Sequence, residues 1–215
     1  MTRPGASHDR LRGLYVIIDP ESARGREEAR IAAEAIQGGA RLIQLRDKTR
    51  EKGLQLPIAR GIRAACREGG ALFFINDHVD LALAVDADGV HLGQKDLPLT
   101  IVRHIVPSRM LIGCSTNNPD EARQAEKQGA DYVSVGRLFP TGSKQDTRPA
   151  TLETLRAVKG AVSIPVCAIG GIDESNIDAV IDAGADMVSV IAAVTAAEDV
   201  LEAARRLSKR FPAGY

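Results

Sequence analysis

The sequence predicts an α/β fold, a single-domain (β/α)8 TIM barrel, and three features support this class. Eight short apolar runs alternate with eight segments that have helical periodicity. A glycine-led turn of similar sequence recurs before several of the runs. The chain has 215 residues, and eight strand–helix units need at least about 200.

The predicted strands are runs rich in β-branched and other apolar residues, bounded by glycine, proline or polar residues. Most of them lack regular polar alternation, as expected when helices cover one face and a barrel core covers the other. In chain order the predicted strands are 14–18, 41–45, 72–75, 88–92, 110–113, 132–136, 165–169 and 187–191.

The predicted helices carry apolar residues at helical spacing, such as Ile31, Ala32 and Ala35 in the first of them. Pro119 suits the first turn of the fifth helix, and Pro57 is expected to move the start of the second helix toward itself. In chain order the predicted helices are 27–37, 52–68, 78–85, 99–106, 119–128, 151–159, 175–183 and 197–211.

A short pattern recurs where a helix gives way to a strand. It consists of a glycine able to end a helix in the left-handed conformation, an alanine, a charged residue and an apolar run. Three copies begin at Gly39, Gly129 and Gly184, and a looser copy begins at Asp86. The repetition favours a fold built from similar strand–helix units.

A doubly wound open sheet is the alternative for such a series. That fold usually has a glycine-rich phosphate-binding turn after its first strand, and residues 19–22, Asp-Pro-Glu-Ser, do not match it. The barrel is therefore favoured, and its chemistry is expected in the loops that follow the strands.

The composition limits the partners. The 28 basic and 28 acidic residues cancel, so no net field draws the chain to nucleic acid or to a membrane. Aromatic residues make up 3% of the chain, without Trp, which argues against base-stacking surfaces. We therefore expect small-molecule substrates, no nucleic acid and no membrane. A homo-oligomer is left open, because barrels that associate often have half-exposed apolar helix faces.

The cysteines and the N-terminus indicate a cytoplasmic protein. Cys66, Cys114 and Cys167 lie far apart in apolar runs and are expected to be reduced core residues. Residues 1–12 are expected to be a disordered lead-in without the apolar run of a signal peptide, and residues 13–215 to form the barrel domain.

Two acidic residues follow the third and fourth predicted strands at corresponding positions. These are Asp77 and Asp96. Because the ends of adjacent parallel strands meet at one rim, we expect the two carboxylates to share a Mg²⁺ ion. The alternative is that each acid caps the next helix, although Asn76 and Gln94 add polar groups that a cap does not need.

Cationic and hydroxyl groups follow two other predicted strands. Arg46 and Lys48 suit a polyphosphate, since a guanidinium and an ammonium both bind phosphate oxygens; the alternative is two exposed loop charges. Residues 141–144, Thr-Gly-Ser-Lys, suit an anion-binding loop that closes as a lid, or else form an ordinary polar turn.

Gly170 and Gly171 precede a helix that we expect Asp173 or Ser175 to cap. Backbone amides at this position of a barrel often hold a monophosphate; the alternative is a tight turn. His91 lies inside a strand and is expected to be a hydrogen-bonded interior residue, so no catalytic imidazole is assigned. A metal, two anion sites and no evident nucleophile suit an enzyme that expels pyrophosphate.

Six short motifs follow one another along the chain, namely residues 44–48 (QLRDK), 75–77 (IND), 89–96 (GVHLGQKD), 113–115 (GCS), 139–144 (FPTGSK) and 169–172 (IGGI). They resemble the motifs of the thiamine phosphate synthase family, in the same order. The resemblance extends over residues 14–210 and implies a (β/α)8 barrel. It also implies a transferase that uses Mg²⁺ to join hydroxymethylpyrimidine diphosphate to a thiazole phosphate with release of pyrophosphate.

The resemblance implies a role for each matching residue, and a dissociative route in which pyrophosphate leaves before the thiazole nitrogen captures a pyrimidine cation. Mg²⁺ would be bound by Asp77 and Asp96. The pyrimidine diphosphate would be held by Gln44, Leu45, Arg46, Asp47, Lys48, Asn76, Ser115 and Lys144. Of these residues, the catalytic ones would be Arg46, Lys48, Ser115 and Lys144. The thiazole phosphate would be held by Thr141, Gly142, Ser143, Gly171, Ile191 and Ala192.

Two residues depart from the family pattern. Lys95 stands where an acid is frequent, which is expected to weaken metal affinity slightly, and Ala192 stands where Ser is common, which preserves a backbone contact. A non-catalytic barrel that binds thiamine intermediates and a thiazole tautomerase-like relative remain alternatives. Tautomerases typically have His near Asn117 and lack the acid at Asp96, so this chain favours the synthase.

Overall fold

Eight parallel strands close into a barrel in sequence order, as predicted. The structure is a computed structural model that describes residues 8–141 and 148–212. The first and last strands close the ring by pairing Tyr15 with Ser189. The strands are β1 (Gly13–Ile18), β2 (Leu42–Leu45), β3 (Leu72–Asn76), β4 (Gly89–Leu92), β5 (Leu111–Thr116), β6 (Tyr132–Val135), β7 (Val166–Ile169) and β8 (Met187–Val190).

Ten α-helices lie within the described residues, and eight of them correspond to predicted helices. None of these helices is long and apolar enough to cross a membrane. They are α1 (Pro20–Ala23), α2 (Glu28–Gln37), α3 (Lys52–Gly69), α4 (Val79–Ala84), α5 (Leu99–Ile105), α6 (Pro119–Lys127), α7 (Leu152–Ala161), α8 (Ile177–Asp182), α9 (Ala192–Thr195) and α10 (Val200–Ser208).

The starts of α3 and α10 and the presence of two short helices differ from what was expected. The α3 helix starts at Lys52 and contains Pro57, because a proline early in a helix removes only one of its backbone hydrogen bonds. The α10 helix starts later than predicted, at Val200, where Asp199 accepts a hydrogen bond from the Glu202 amide at 2.9 Å. The one-turn helices α1 and α9 were not predicted, because four residues are too few to show a helical period.

The barrel buries both faces of its strands. Alternate strand residues point inward and outward, so one apolar cluster lies between the strands and the helices and a second fills the barrel. Cys66, Cys114 and Cys167 are buried free thiols, as predicted. The inner cluster consists of Leu11, Tyr15, Leu42, Leu72, Phe74, Leu111, Tyr132, Cys167 and Met187.

The N-terminal lead-in is shorter than the predicted residues 1–12. Residues His8–Arg10 form a 3₁₀ turn, and Arg10 Nη2 donates to the Gly70 carbonyl at 2.9 Å. Leu11 is only 1% exposed and belongs to the inner cluster. The prediction of disorder was therefore wrong for residues 8–12, because a buried leucine anchors them. Residues 1–7 lie outside the described residues.

Candidate functional site

Asp77 and Asp96 meet at the carboxyl-end rim of the barrel, as predicted. Asp77 directly follows β3 with φ of 60°, and Asp96 Oδ2 accepts a hydrogen bond from the Gly93 amide at 2.7 Å. Burial and the neighbouring Asp77 carboxyl group raise the pKa of Asp96. Lys48 Nζ lies 3.4 Å from Asp77 Oδ2 and offsets part of this repulsion. The rim therefore holds two crowded carboxylates beside one ammonium group.

The chemistry of this carboxylate pair fits Mg²⁺. Magnesium prefers oxygen ligands and is commonly held by one or two carboxylates together with water and substrate phosphate oxygens. Within residues 8–141 and 148–212, no group of three or more His, Cys, Asp or Glu could enclose a metal. The pair thus suits an open site that a phosphorylated ligand would complete, rather than a closed structural site.

Two cations that look alike in the sequence have different environments. The Lys48 side chain is 55% exposed at the rim, whereas the Arg46 side chain is 12% exposed. Arg46 Nη1 forms an ion pair with Asp19 Oδ2, while Asp19 Oδ1 accepts from the Glu21 amide at 3.0 Å and caps α1. Arg46 is therefore held by Asp19, the residue that follows β1, and is not one of the two exposed loop charges that were the alternative.

Leu45 and Asp47, which the resemblance assigns to the pyrimidine diphosphate, have side chains that make contacts within the protein. Leu45 is 1% exposed and lies in the outer cluster, because alternate strand residues point away from the barrel interior. Asp47 Oδ1 accepts from the amides of Thr49 and Arg50, each at 3.0 Å. Asp47 therefore orders the loop between β2 and α3. Since the Leu45 side chain is buried, only the backbone of Leu45 is left to contact a substrate.

Gln44 and Ser115 are linked by hydrogen bonds through the barrel interior. Gln44 Nε2 lies 2.6 Å from the Tyr15 hydroxyl, which lies 3.2 Å from the Tyr132 hydroxyl. His91 Nδ1 lies 2.8 Å from the Tyr132 hydroxyl, and His91 Nε2 lies 2.9 Å from Ser115 Oγ. His91 is thus the hydrogen-bonded interior residue that was predicted.

Tyr15 and Tyr132, which link Gln44 to His91 in this hydrogen-bonded network, were missed by the sequence reasoning. A signal for them existed, because a polar side chain on the inward face of a buried strand must find a hydrogen-bond partner. Tyr15, Gln44 and His91 all occupy such positions on their strands. Asn76, at the end of β3, is partly buried next to Asp77 at the same rim.

Amide side chains fix the loops around the rim. Gln94 Nε2 donates to the Ser115 carbonyl at 2.6 Å. Asn117 Nδ2 donates to the carbonyls of Gly136 and Arg148, at 2.9 and 3.1 Å. Asn117 is the residue near which tautomerases typically have His. In this chain it holds the two ends of the loop that follows β6.

The turn after β7 packs closely on the loop after β6. Gly170 and Gly171 have φ of 104° and 64°, and a Cβ atom on Gly171 would lie 2.5 Å from the Pro140 carbonyl. Asn176 Nδ2 donates to the Gly171 carbonyl at 2.9 Å. The predicted cap of the next helix was wrong, because α8 starts at Ile177 and no side chain caps it.

The remaining predicted residues for the thiazole phosphate lie in two places. Ile191 and Ala192 stand where β8 leads into α9. Thr141 is partly buried in the loop after β6. The predicted residues Gly142, Ser143 and Lys144 lie outside the described residues.

Comparison with known proteins gives a consistent result over most of the chain. The family model for thiamine monophosphate synthase matches residues 14–194. Thiamine-phosphate synthase of Moorella thermoacetica is 49% identical over 195 residues, which are 90% of this chain and 93% of that protein. Thiamine-phosphate synthase of Methanospirillum hungatei is 47% identical over 197 residues, 91% of this chain and 96% of that protein.

A solved structure shows the same similarity in three dimensions. Thiamine phosphate pyrophosphorylase from Pyrococcus furiosus superposes with a TM-score of 0.87 at 44% sequence identity. The match covers 94% of this chain and 96% of that one.

Proposed function

The chain belongs to the thiamine monophosphate synthase family, and from this premise we propose how its rim residues perform the reaction. Its activity is that of a thiamine-phosphate synthase, a transferase that releases pyrophosphate. The tautomerase-like and non-catalytic alternatives are not favoured. The proposals that follow concern the metal, the two substrates and the roles of individual residues.

The pyrimidine diphosphate lies at the rim of β2–β5 in this proposal. Asp77 and Asp96 hold Mg²⁺, which when bound supplies positive charge to the departing pyrophosphate oxygens. Lys48 adds a mobile ammonium beside the same acids, supported by its 3.4 Å approach to Asp77. Arg46, oriented by Asp19, and Lys144 complete the set of positive groups.

The pyrimidine ring lies over the barrel mouth, between Gln44 on β2 and Ser115 on β5. Asn76, at the end of β3, contacts the same substrate. Among the residues that the structure describes, the rim contains several charge-stabilising groups and no side chain placed as a nucleophile. This supports the dissociative route, in which pyrophosphate departs before the thiazole nitrogen bonds to the pyrimidine methylene carbon.

The thiazole phosphate lies on the β6–β8 side of the rim. Gly171 approaches the loop after β6 so closely that its backbone can reach an anion held there. Thr141, Gly142 and Ser143 contribute hydroxyl and amide donors to it.

Ile191 and Ala192 supply backbone contacts to the thiazole phosphate at the start of α9. Arg26 holds the C-terminal end of this one-turn helix, because it donates to the carbonyls of Thr195 and of Ala197, the latter at 2.8 Å. The Thr195 hydroxyl in turn lies 2.8 Å from Ser22 on α1. The helices α1 and α9, which were not predicted, thus pack together beside the proposed thiazole phosphate site.

Lys95 is proposed to weaken the affinity for Mg²⁺ slightly, since it places a positive charge next to Asp96.

Cytoplasmic location and a homo-oligomer are further proposals. The homo-oligomer is supported by the apolar residues Leu97, Ile101 and Ile105, each about half exposed. The molecular mass measured by analytical ultracentrifugation at several protein concentrations tests it.

The observation that carries the proposed mechanism is the meeting of Asp77 and Asp96 at one rim. We expect pyrophosphate release from the two substrates to require Mg²⁺ and to stop when a chelator removes it. Asp77→Asn should reduce kcat by at least about 100-fold, because the charge that a metal supplies to a transition state is worth several kcal/mol. Pyrophosphate release is measured by a coupled phosphate assay.

Asp80→Asn is the matched control for Asp77→Asn. Asp80 lies three positions away, is 63% exposed and pairs with Lys52 at 2.7 Å, so its loss should leave kcat unchanged. Turnover that persists after chelation, or an equal effect of both substitutions, would contradict the metal assignment. Binding of both substrates without pyrophosphate release would instead indicate a carrier protein.

A further inference from the structure

A continuous chain of hydrogen bonds crosses the barrel interior from β2 to β5. It starts at Gln44, passes through the hydroxyl groups of Tyr15 and Tyr132 and the imidazole of His91, and ends at Ser115. Its two ends are proposed substrate contacts, whereas its three central members have no role in the proposed mechanism. Tyr15 and Tyr132 are 2% and 0% exposed, so their hydroxyl groups depend on this chain for partners.

The direction of the chain follows from its first member. Gln44 presents Nε2 to Tyr15, and an amide nitrogen only donates. The Tyr15 oxygen therefore accepts there and has its own proton left to give. The acceptor within reach is the Tyr132 oxygen, which then gives its proton to His91 Nδ1.

The protonation of the two phenols supports this direction. Burial is the main reason that the pKa of Tyr15 and that of Tyr132 are raised above the ordinary value. Both phenols therefore keep their protons, and each has one hydrogen bond to donate. The opposite direction would make Tyr15 accept from both neighbours and leave its buried O–H without an acceptor in the chain, which is costly.

The consequence for His91 is a single tautomer. Because Nδ1 accepts from Tyr132, the ring proton lies on Nε2 and is donated to Ser115 Oγ at 2.9 Å. The Ser115 oxygen accepts this bond, so its own proton is free to be donated into the site. A hydrogen-bond donor fixed in this direction can stabilise negative charge on the substrate that Ser115 contacts.

We propose that His91 is a positioning residue: Tyr132 holds its imidazole as the Nε2–H tautomer, and His91 thereby directs the hydroxyl proton of Ser115 toward the substrate. The proposal rests on the proposed function for the contact between Ser115 and substrate. The tautomer itself depends only on the interior of the barrel, so it can be tested separately.

The first experiment determines the tautomer of His91. Full-length protein labelled with ¹⁵N-histidine gives separate signals for bare and protonated ring nitrogens, and the spectrum of His91→Gln identifies the His91 signals. We expect a bare Nδ1 and a protonated Nε2. A protonated Nδ1 would overturn the proposal, whether or not the protein makes thiamine phosphate.

The second experiment tests whether the tautomer matters for turnover. Tyr132→Phe keeps the ring and removes the hydroxyl, so kcat should fall about tenfold while both KM values change less than about twofold, as expected for loss of an interaction made in the transition state. His91→Gln, whose amide N–H can still reach Ser115, should retain more of kcat than His91→Ala does.

Phe74→Leu is the control for packing. The Phe74 ring lies 5.7 Å from both tyrosine rings and has no hydrogen-bonding group. We expect it to lower thermal stability and to leave kcat within about twofold of wild type, since it alters burial and no hydrogen bond. Equal losses of kcat in Phe74→Leu and Tyr132→Phe, or an unchanged kcat in Tyr132→Phe, would overturn the proposal.

Discussion

Asp96 shows how a residue placed for binding lowers the stability of the metal-free fold. Its pKa is raised, first by burial and then by the Asp77 carboxyl group. A raised carboxyl pKa means that the folded chain holds this negative charge less favourably than the unfolded chain does. The cost is present above the folded pKa and disappears as pH falls toward the unfolded pKa.

Asp96→Asn should therefore raise the free energy of unfolding of the metal-free protein at pH 7, while reducing turnover. Asparagine keeps an oxygen that accepts from the Gly93 amide, so only the charge is lost. The gain should shrink as pH falls through the raised pKa of Asp96. Thermal unfolding with and without Mg²⁺ measures this, and added Mg²⁺ should stabilise wild type more than the variant.

Asp80→Asn serves as a control with the opposite sign. The hydrogen bond from Lys52 is the main reason that the pKa of Asp80 is lowered. A lowered pKa contributes stability above the unfolded pKa, and this contribution is lost as pH falls through the folded value. Asp80→Asn should thus leave stability at pH 7 equal or slightly lower, because the pair is exposed. A loss of stability in Asp96→Asn would contradict this account.

Residue types could be assigned from the sequence, but their partners could not. Arg46 and Lys48 lie two positions apart in one motif, yet one pairs with Asp19, which directly follows β1, and the other is exposed at the rim. The pairing of Arg46 depends on the register between β1 and β2, which no local pattern contains. The meeting of Asp77 and Asp96 was predictable because it needs only that β3 and β4 be parallel neighbours.

At the scale of elements, the recurring turns do more than end helices. Gly129 and Gly184 have φ of 96° and 97°, as the pattern predicted. In the copies that begin at Gly129, Gly184 and Asp86, the acid two positions later links three elements. Asp131 Oδ2 accepts from the Ile112 amide on β5 and from Arg103 on α5. Asp186 Oδ2 accepts in the same way from Val166 on β7 and Lys159 on α7, and Asp88 Oδ2 from Phe73 on β3 and Arg63 on α3.

Asp131→Ala should destabilise the fold by about 3–5 kcal/mol, because it leaves the Arg103 guanidinium buried without its carboxylate. The Asp131 side chain is 4% exposed. It lies at the opposite end of β6 from the rim, so kcat should be unchanged below the unfolding temperature. Urea unfolding and the turnover assay measure the two effects.

Asp120→Ala is the matched control for Asp131→Ala. Its side chain is 91% exposed and pairs with Arg123 within α6. We expect less than about 0.5 kcal/mol from its loss, as is usual for exposed pairs. A similar cost for both substitutions would show that the turn acid does not link the elements.

At the scale of the whole molecule, the barrel was predictable because its signals are repeated. Each of the eight strand–helix units carries a similar pattern, so an error in one unit does not change the fold class. The β5 strand extends to Thr116, beyond its predicted end, because pairing with β6 continues there. What fills the barrel was less predictable, since the choice between apolar and polar contents depends on all eight strands together.

The interior of the barrel depends on glycines where aromatic rings cross it. A Cβ atom on Gly113 would overlap the Tyr132 ring, and one on Gly89 would overlap the Phe74 ring. Gly113→Ala should therefore cost about 1–3 kcal/mol of folding free energy, as overpacking of a core usually does. It should also lower kcat, because it displaces the Tyr132 hydroxyl from His91.

Gly160→Ala provides the comparison for Gly113→Ala. Gly160 lies in α7, and a Cβ atom there would meet nothing within 4 Å. Its replacement should stabilise the protein by about 0.5–1 kcal/mol, since alanine favours a helix over glycine, and should leave kcat unchanged. Thermal unfolding and turnover of the two variants test whether stability and activity are joined through the barrel interior. If Gly113→Ala lowers stability but leaves kcat intact, the packing of Tyr132 does not position the site.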